Sequence, residues 1–348
     1  MYKKFFGLRA NPFSVSPDPR YLFLTRHMQE ALDCLTYGVQ SRKGFILLTG
    51  EVGTGKTTLI NKLLELLHEQ QVPTAFVFNS RLDVPTFLNY MMQDFGIPCD
   101  ARTKSKVLIQ FYDWLLDRYR AGETAVLIVD EAQNLSEELL EEIRMMTNVE
   151  SSTEKLLQIV LVGQPELEQK IKQPQLRQLR QRITLRARTY PLSPGETRLY
   201  VDQRLRIAGS NGEQIFSPES LAAVYRYSNG IPRVVNLICE QCLVSAFVDQ
   251  QKVVRVSVVD AVARDFDLEE ENGLPGTVPP PIAAPASKVV PSAFLAPASE
   301  VPAPSASPAL GSKSDLMEAV KTLNDLAERL RASGSERPKR PSRPSSKE

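Results

Sequence analysis

The sequence predicts an α/β fold, a parallel sheet with helices on its faces, followed by a smaller all-helical unit and a low-complexity tail. Three observations carry this. From Phe45 to Arg188 short β-rich runs alternate with longer stretches of helical periodicity, after Pro191 the strand signals almost vanish, and from Gly273 the chain turns to Pro, Ala and Ser.

The β-rich runs are Phe45–Leu48, Ala75–Phe78, Val126–Val129, Ile159–Val162 and Ile183–Leu185. Between them, Thr57–Glu69 sets Leu59, Leu63, Leu66 and Leu67 at helical spacing, and Val107–Tyr119 does the same with Leu108, Phe111, Leu115 and Tyr119. Residues 1–190 therefore read as an α/β core with a leading segment. Helices are expected near Glu196–Ala208, Pro218–Tyr227, Arg233–Val248 and Val258–Phe266, making residues 191–272 a helical domain. Ser217–Pro218 pairs a cap with a first-turn proline, and Asn229–Gly230 stops that helix before Pro232. Residues 273–312, with Pro279–Pro281, Pro291, Pro302, Pro304 and Pro308, have little to bury and read as a disordered linker. Residues 313–332 carry Leu316, Val320, Leu323, Leu326, Ala327 and Leu330 at helical spacing, an amphipathic helix that needs a partner. Residues 333–348 form a basic tail containing Arg337, Lys339, Arg340, Arg343 and Lys347.

Lys plus Arg number 42 and Asp plus Glu 41, a net charge of +1, so the overall balance indicates no nucleic-acid binder and any charged contact must be local. Four cysteines, Cys34, Cys99, Cys239 and Cys242, among 348 residues do not make a disulfide framework, which points to the reducing cytoplasm. Met1–Phe13 holds only the apolar pair Phe5–Phe6 and does not read as a signal peptide. The longest apolar runs, such as Ala125–Val129 and Ile159–Val162, are strand-length and fall far short of the roughly 20 residues that span a bilayer.

The chemistry begins at Gly50-Glu51-Val52-Gly53-Thr54-Gly55-Lys56-Thr57, with Thr58 after it, a G-x-x-x-x-G-K-[ST] phosphate loop between a strand and a helix. Glycines permit the turn that aims backbone N–H groups at phosphates, Lys56 reaches the β- and γ-phosphates, and Thr57 ligates Mg²⁺, so ATP and Mg²⁺ are the expected cofactors. The run Ala125–Val129 delivers Asp130 and Glu131 at its C-terminal end, where parallel sheets bind ligands. Asp130 suits the Mg²⁺ shell, and Glu131 suits polarising the attacking water. A plain acidic helix start is the alternative. Gln164, after the next run, is placed to orient water or a γ-phosphate, or else caps a turn. Arg177, Arg180 and Arg182 cluster before Ile183–Leu185. One of them, with Arg182 the first choice, could act as a finger in a neighbouring subunit. Arg233 follows Gly230-Ile231-Pro232 in the first turn of a helix, where positive charge opposes the helix dipole unless a phosphate compensates it. Cys239-x-x-Cys242 has metal-ligand spacing but no second pair, and core packing is the better reading; His27 and His68 carry no role.

The phosphate loop, VDEAQNL at Val129–Leu135, LQIVLVGQPEL at Leu157–Leu167, LRQLRQRI at Leu176–Ile183 and GIPR at Gly230–Arg233 occur in the order that resembles the ExeA/GspA group of AAA+ ATPases. Phe6-Gly7-Leu8, Asn11-Pro12-Phe13 and Pro17-Asp18-Pro19 resemble that group's opening. The resemblance covers about residues 1–268. It implies a P-loop NTPase AAA+ core with a helical lid, sensor roles for Gln164 and Arg233, a finger from Arg177–Arg182, and a homo-oligomer whose subunits complete each other's sites. It also implies partners in an envelope secretion, pilus or polysaccharide-export system. ExeA-like secretion proteins continue into a membrane span and a wall-binding domain, whereas this chain continues into the linker, helix and basic tail, so direct wall binding is not expected.

Three function classes follow. The leading one is a motor or switch ATPase of such an envelope complex, cytoplasmic and reaching the inner membrane through partners or through tail contact with an anionic surface. A DNA-associated ATPase resembling transposition helper proteins is the second, with salt-sensitive binding as its mark. The third, a nucleotide-dependent scaffold with little turnover, is weakened by Glu131.

Overall fold

Strands β1 (Phe45–Thr49), β2 (Thr74–Val77), β3 (Ala125–Val129), β4 (Leu157–Gly163) and β5 (Ile183–Arg188) pair in parallel in the order β2-β3-β4-β1-β5. The computed structural model describes residues 2–14, 19–78, 82–98, 103–148 and 154–268, all within one compact unit. The predicted linker (273–312), amphipathic helix (313–332) and basic tail (333–348), and Cys99, lie outside the described residues.

Helices α1 (Tyr2–Phe5) and α2 (Arg26–Gln40) precede the sheet, α3 (Lys56–Glu69) follows β1, and α4 (Val84–Asp94) and α5 (Lys104–Arg120) follow β2. Then α6 (Glu137–Met146) follows β3, and α7 (Pro165–Ile171) and α8 (Arg177–Arg182) follow β4. The lid is α9 (Pro194–Ile207), α10 (Pro218–Ser228), α11 (Pro232–Val248) and α12 (Val256–Asp265). Local chemistry sets the starts: Thr25, Asp83, Ser136 and Ser217 each accept a backbone N–H three residues on, and Ser193 with Glu196 closes a capping box at α9.

Residues of β1, β3 and β4 are buried throughout, as expected for central parallel strands covered on both faces. The two-residue period of a strand then sorts their side chains. Phe45, Leu47, Leu127, Val129, Ile159 and Leu161 enter one core with α4, α5 and α6, while Ile46, Leu48, Val126, Ile128, Val160 and Val162 enter the other with α2 and α3.

The lid has its own core, and the N-terminal segment belongs to it. Phe6, Leu8 and Phe13 pack with Val201, Val235, Ile238, Cys239 and Leu243, although chain order groups them with the α/β core. Polar ties reinforce that packing. Tyr2 donates to Glu240 at 2.8 Å, Asn11 donates to Glu240 at 3.1 Å, and the buried Arg204 donates to the Pro12 carbonyl at 2.6 Å while stacking on Tyr21 and Tyr200. The chain thus starts in the lid, crosses to the core through α2, and returns to the lid after β5.

Strand register sets up the site. Thr49 of β1 stands beside Gly163 of β4 and Arg188 of β5, and Val129 of β3 stands beside Leu161 of β4. Gly50, Asp130 and Gln164 therefore leave the sheet at the same C-terminal edge.

Candidate active site

The loop from Gly50 to Thr57 turns through left-handed backbone at Gly53 (φ 79°) and Gly55 (φ 97°), conformations that L side chains rarely adopt. Space excludes side chains as well. A Cβ on Gly50 would stand 2.0 Å from Thr189 Oγ1, and one on Gly53 would stand 2.8 Å from Arg233 Cβ. Thr54 Oγ1 donates to the Glu51 carbonyl at 2.8 Å and pairs with Thr189 Oγ1 at 2.7 Å, which ties the loop to the segment leaving β5. Lys56, the first residue of α3, is buried, and its Nζ donates to the carbonyls of Gly50 at 2.8 Å and Glu51 at 3.0 Å. Burial lowers its affinity for the proton, against the raising influence of Glu131, Asp130, Glu51 and Glu166. The ammonium is thus short of compensating charge.

Asp130 ends the apolar strand β3 and is itself buried. Burial holds its carboxyl above the usual carboxylate range and Glu131 adds to this, while the Glu131 N–H, the Lys56 charge and the Thr57 hydroxyl pull the other way. Glu131 is a non-glycine residue in left-handed backbone (φ 51°), a strained conformation of the kind that collects at functional sites. Its Oε2 accepts from Gln133 Nε2 at 2.5 Å and from Gln164 Nε2 at 3.2 Å. Gln164 caps α7 by position, as the bland reading has it, but its side chain also reaches the acidic pair.

Arg233 occupies the first turn of α11, where its backbone N–H donates to the Gly53 carbonyl at 3.3 Å, and its side chain is exposed beside the loop. The lid reaches the loop through this turn. Arg182 goes elsewhere: Ile183 pairs with Phe45, at the opposite end of β1 from Gly50, so the strand's length, roughly 16 Å, separates them. Its Nη1 donates to Thr147 Oγ1 at 2.9 Å and to the Arg144 carbonyl at 3.3 Å, while Arg177 and Arg180 are exposed. The arginine cluster is thus not brought to its own chain's loop.

Gln133 and Thr189 are partners of the site that sequence reasoning did not single out. Gln133 lies inside VDEAQNL, but its contact depends on the turn at Glu131; Thr189 has no motif at all. Cys239 and Cys242 lie in the lid core, where burial pushes the Cys242 thiol up to about 12 and the Cys239 thiol well above its ordinary value, as packed side chains would be. A cavity of about 360 Å³ lined by Phe76, Phe78, Leu82, Tyr90 and Asp94 lies at the β2 edge and includes no loop residue.

The family model for the AAA domain matches residues 39–171. General secretion pathway protein A of Aeromonas hydrophila is 46% identical over 252 residues, covering 71% of this chain and 45% of that protein. Residues 39–171 form an AAA domain of the ExeA/GspA-like kind. That AAA domain contains the loop, Asp130, Glu131, Gln133 and Gln164, and it ends before Arg182 and Arg233. Solved structures agree on the AAA fold. The Cdc6p structure from Pyrobaculum aerophilum aligns with a TM-score of 0.58 at 18% identity over 73% of this chain and 70% of that one. The Aeropyrum pernix ORC2 protein aligns with a TM-score of 0.54 at 18% identity over 73% and 71%. The chain spans less than half the length of the curated relative it matches, and no helix among its described residues is long and apolar enough to cross a membrane.

Proposed function

We propose that this chain binds Mg·ATP on the loop at Gly50–Thr58 and hydrolyses it, and that turnover drives assembly or operation of a cell-envelope secretion, pilus or polysaccharide-export complex from the cytoplasmic side. The observation that carries the reading is the convergence of Lys56, Asp130, Glu131 and Gln164 at one sheet edge. Two buried groups support the ligand. Among the described residues the Lys56 ammonium donates to loop carbonyls alone, and Asp130 is a carboxylate destabilised by burial, so a phosphate and a divalent cation would each relieve one of them. Bound Mg·ATP supplies the transferable phosphoryl group and the divalent charge that neutralises it.

The chain's own residues would do the rest. Loop N–H groups and Lys56 hold the phosphates, Thr57 and Asp130 hold the cation, and Glu131, with both amide donors on its Oε2, orients and polarises a water. Gln164 and Arg233 act as sensors, one touching Glu131 and the other the loop. The proposed envelope role rests on the relative's name and on the shared identity.

Nucleotide binding and hydrolysis by two variants test the reading. Lys56→Ala should weaken ATP binding, whereas Glu131→Gln should bind ATP with parental affinity and turn it over at about a hundredth of the parental rate or less. Hydrolysis at the parental rate by Glu131→Gln would overturn the assignment of the water-polarising residue.

A further inference from the structure

Gln133 is bonded at both ends of its amide. Its Nε2 donates to Glu131 Oε2 at 2.5 Å, and its Oε1 accepts the Gln164 backbone N–H at 3.2 Å. It thereby joins the residue after β3 to the residue after β4. The amide also lies close against β4: a Cβ on Gly163 would stand 2.7 Å from Gln133 Oε1, so a side chain there would displace it. The short turn Ala132–Asn134 that carries Gln133 is held in place by Lys170 of α7, which donates to the carbonyls of Gln133 at 3.1 Å and of Leu135.

From this geometry we infer that Gln133 is a positioning residue for hydrolysis, holding the Glu131 carboxylate in a fixed orientation and in register with Gln164. The inference rests on the reading of Glu131 as the water-polarising residue. Glu131 sits in strained backbone and its carboxylate swings on three side-chain torsions, so without a tether it would sample orientations that miss the attacking water. The side-chain hydrogen bonds of Gln133 run to Glu131 and Gln164 and not to the phosphate loop, so its effect passes through those two residues. Orientation of this kind is worth about 10²-fold in rate when an ångström is lost. Gln133→Glu keeps the shape of the side chain but replaces the Nε2 donor with an oxygen that repels the Glu131 carboxylate, so it breaks the tether without opening a cavity.

The test measures kcat, the ATP dissociation constant and the melting temperature for Gln133→Ala, Gln133→Glu and Glu131→Gln, and for Gln133→Ala combined with Glu131→Gln. Gln133→Ala is expected to lower kcat about tenfold to a hundredfold at an ATP affinity within about twofold of the parent. Gln133→Glu, nearly the same shape, should lower kcat at least as far, and Gln133→Ala should cost nothing further once Glu131 is already Gln. Parental kcat in both Gln133 variants beside an inactive Glu131→Gln would overturn the inference alone. A fall in the kcat of Gln133→Ala that tracks a fall in its melting temperature, or that adds in full to the Glu131→Gln loss, would also overturn it. Parental activity in Glu131→Gln would instead remove the reading on which it stands.

Discussion

At the scale of single residues the site trades stability for charge. Asp130 is held in the fold at a raised pKa, so its contribution to stability is complete below the unfolded carboxyl value of about 3.9 and is lost as pH rises through the folded value. At neutral pH the ionised side chain is a cost to the nucleotide-free protein. Asp130→Asn should therefore melt higher than the parent at pH 7.5, with the difference shrinking as pH falls and the parental carboxyl takes up its proton. The same variant should lose Mg²⁺-supported turnover. Melting curves across pH check the first part, and a difference that does not change with pH would refute it. Lys56 shows the opposite sign of the same conflict, an ammonium held on carbonyls where an anion would suit it better.

Among elements, α8 and β5 make a prediction about assembly. The arginine cluster stands at the far end of β1 from its own loop, so if an arginine from it serves catalysis, it serves another subunit. We expect Arg180→Ala or Arg182→Ala to lose turnover at unchanged ATP affinity, and mixing that protein with Glu131→Gln to restore part of the activity. Mixed oligomers without recovery would exclude a finger acting in trans. Melting temperature separates the two candidates, because Arg182 also ties α8 to the end of α6 through Thr147 and the Arg144 carbonyl, whereas Arg180 is exposed. The strands and the four lid helices were legible in the sequence because β-rich runs and 3.6-residue periodicity survive in long buried elements. Less was legible where the partner is distant. Phe6, Leu8 and Phe13 lie in a stretch too short to show a period, and the helices they pack on come about two hundred residues later. Gln133 meets Glu131 only because the backbone turns left-handed between strand and turn, and Thr189 meets Thr54 only because β1 and β5 end together. Motif spacing records the first contact with a ligand; it does not record what holds the motif.

For the whole molecule, we propose that residues 273–348 recruit the chain to its partner complex and take no part in hydrolysis. The described unit already contains every residue assigned to the site, so a protein ending at Glu271 should hydrolyse ATP at the full-length rate. It should also lose its cellular localisation or its envelope partner in a pulldown. Unchanged localisation together with unchanged partner recovery would refute the recruitment role. The lid's construction from both ends of the described chain has a further consequence, this one for biosynthesis. Phe6 leaves the ribosome long before the α11 residues that bury it, which arrive more than 220 positions later, roughly 10–50 s at about 5–20 residues per second. Once Arg188 is made the α/β core has all its strands and can close, whereas Phe6 and Phe13 still wait for the lid helices that bury them. The Phe6–Phe13 segment, made before the sheet, is thus buried after it, and the nascent chain passes through a window in which that segment is a target for holdase chaperones.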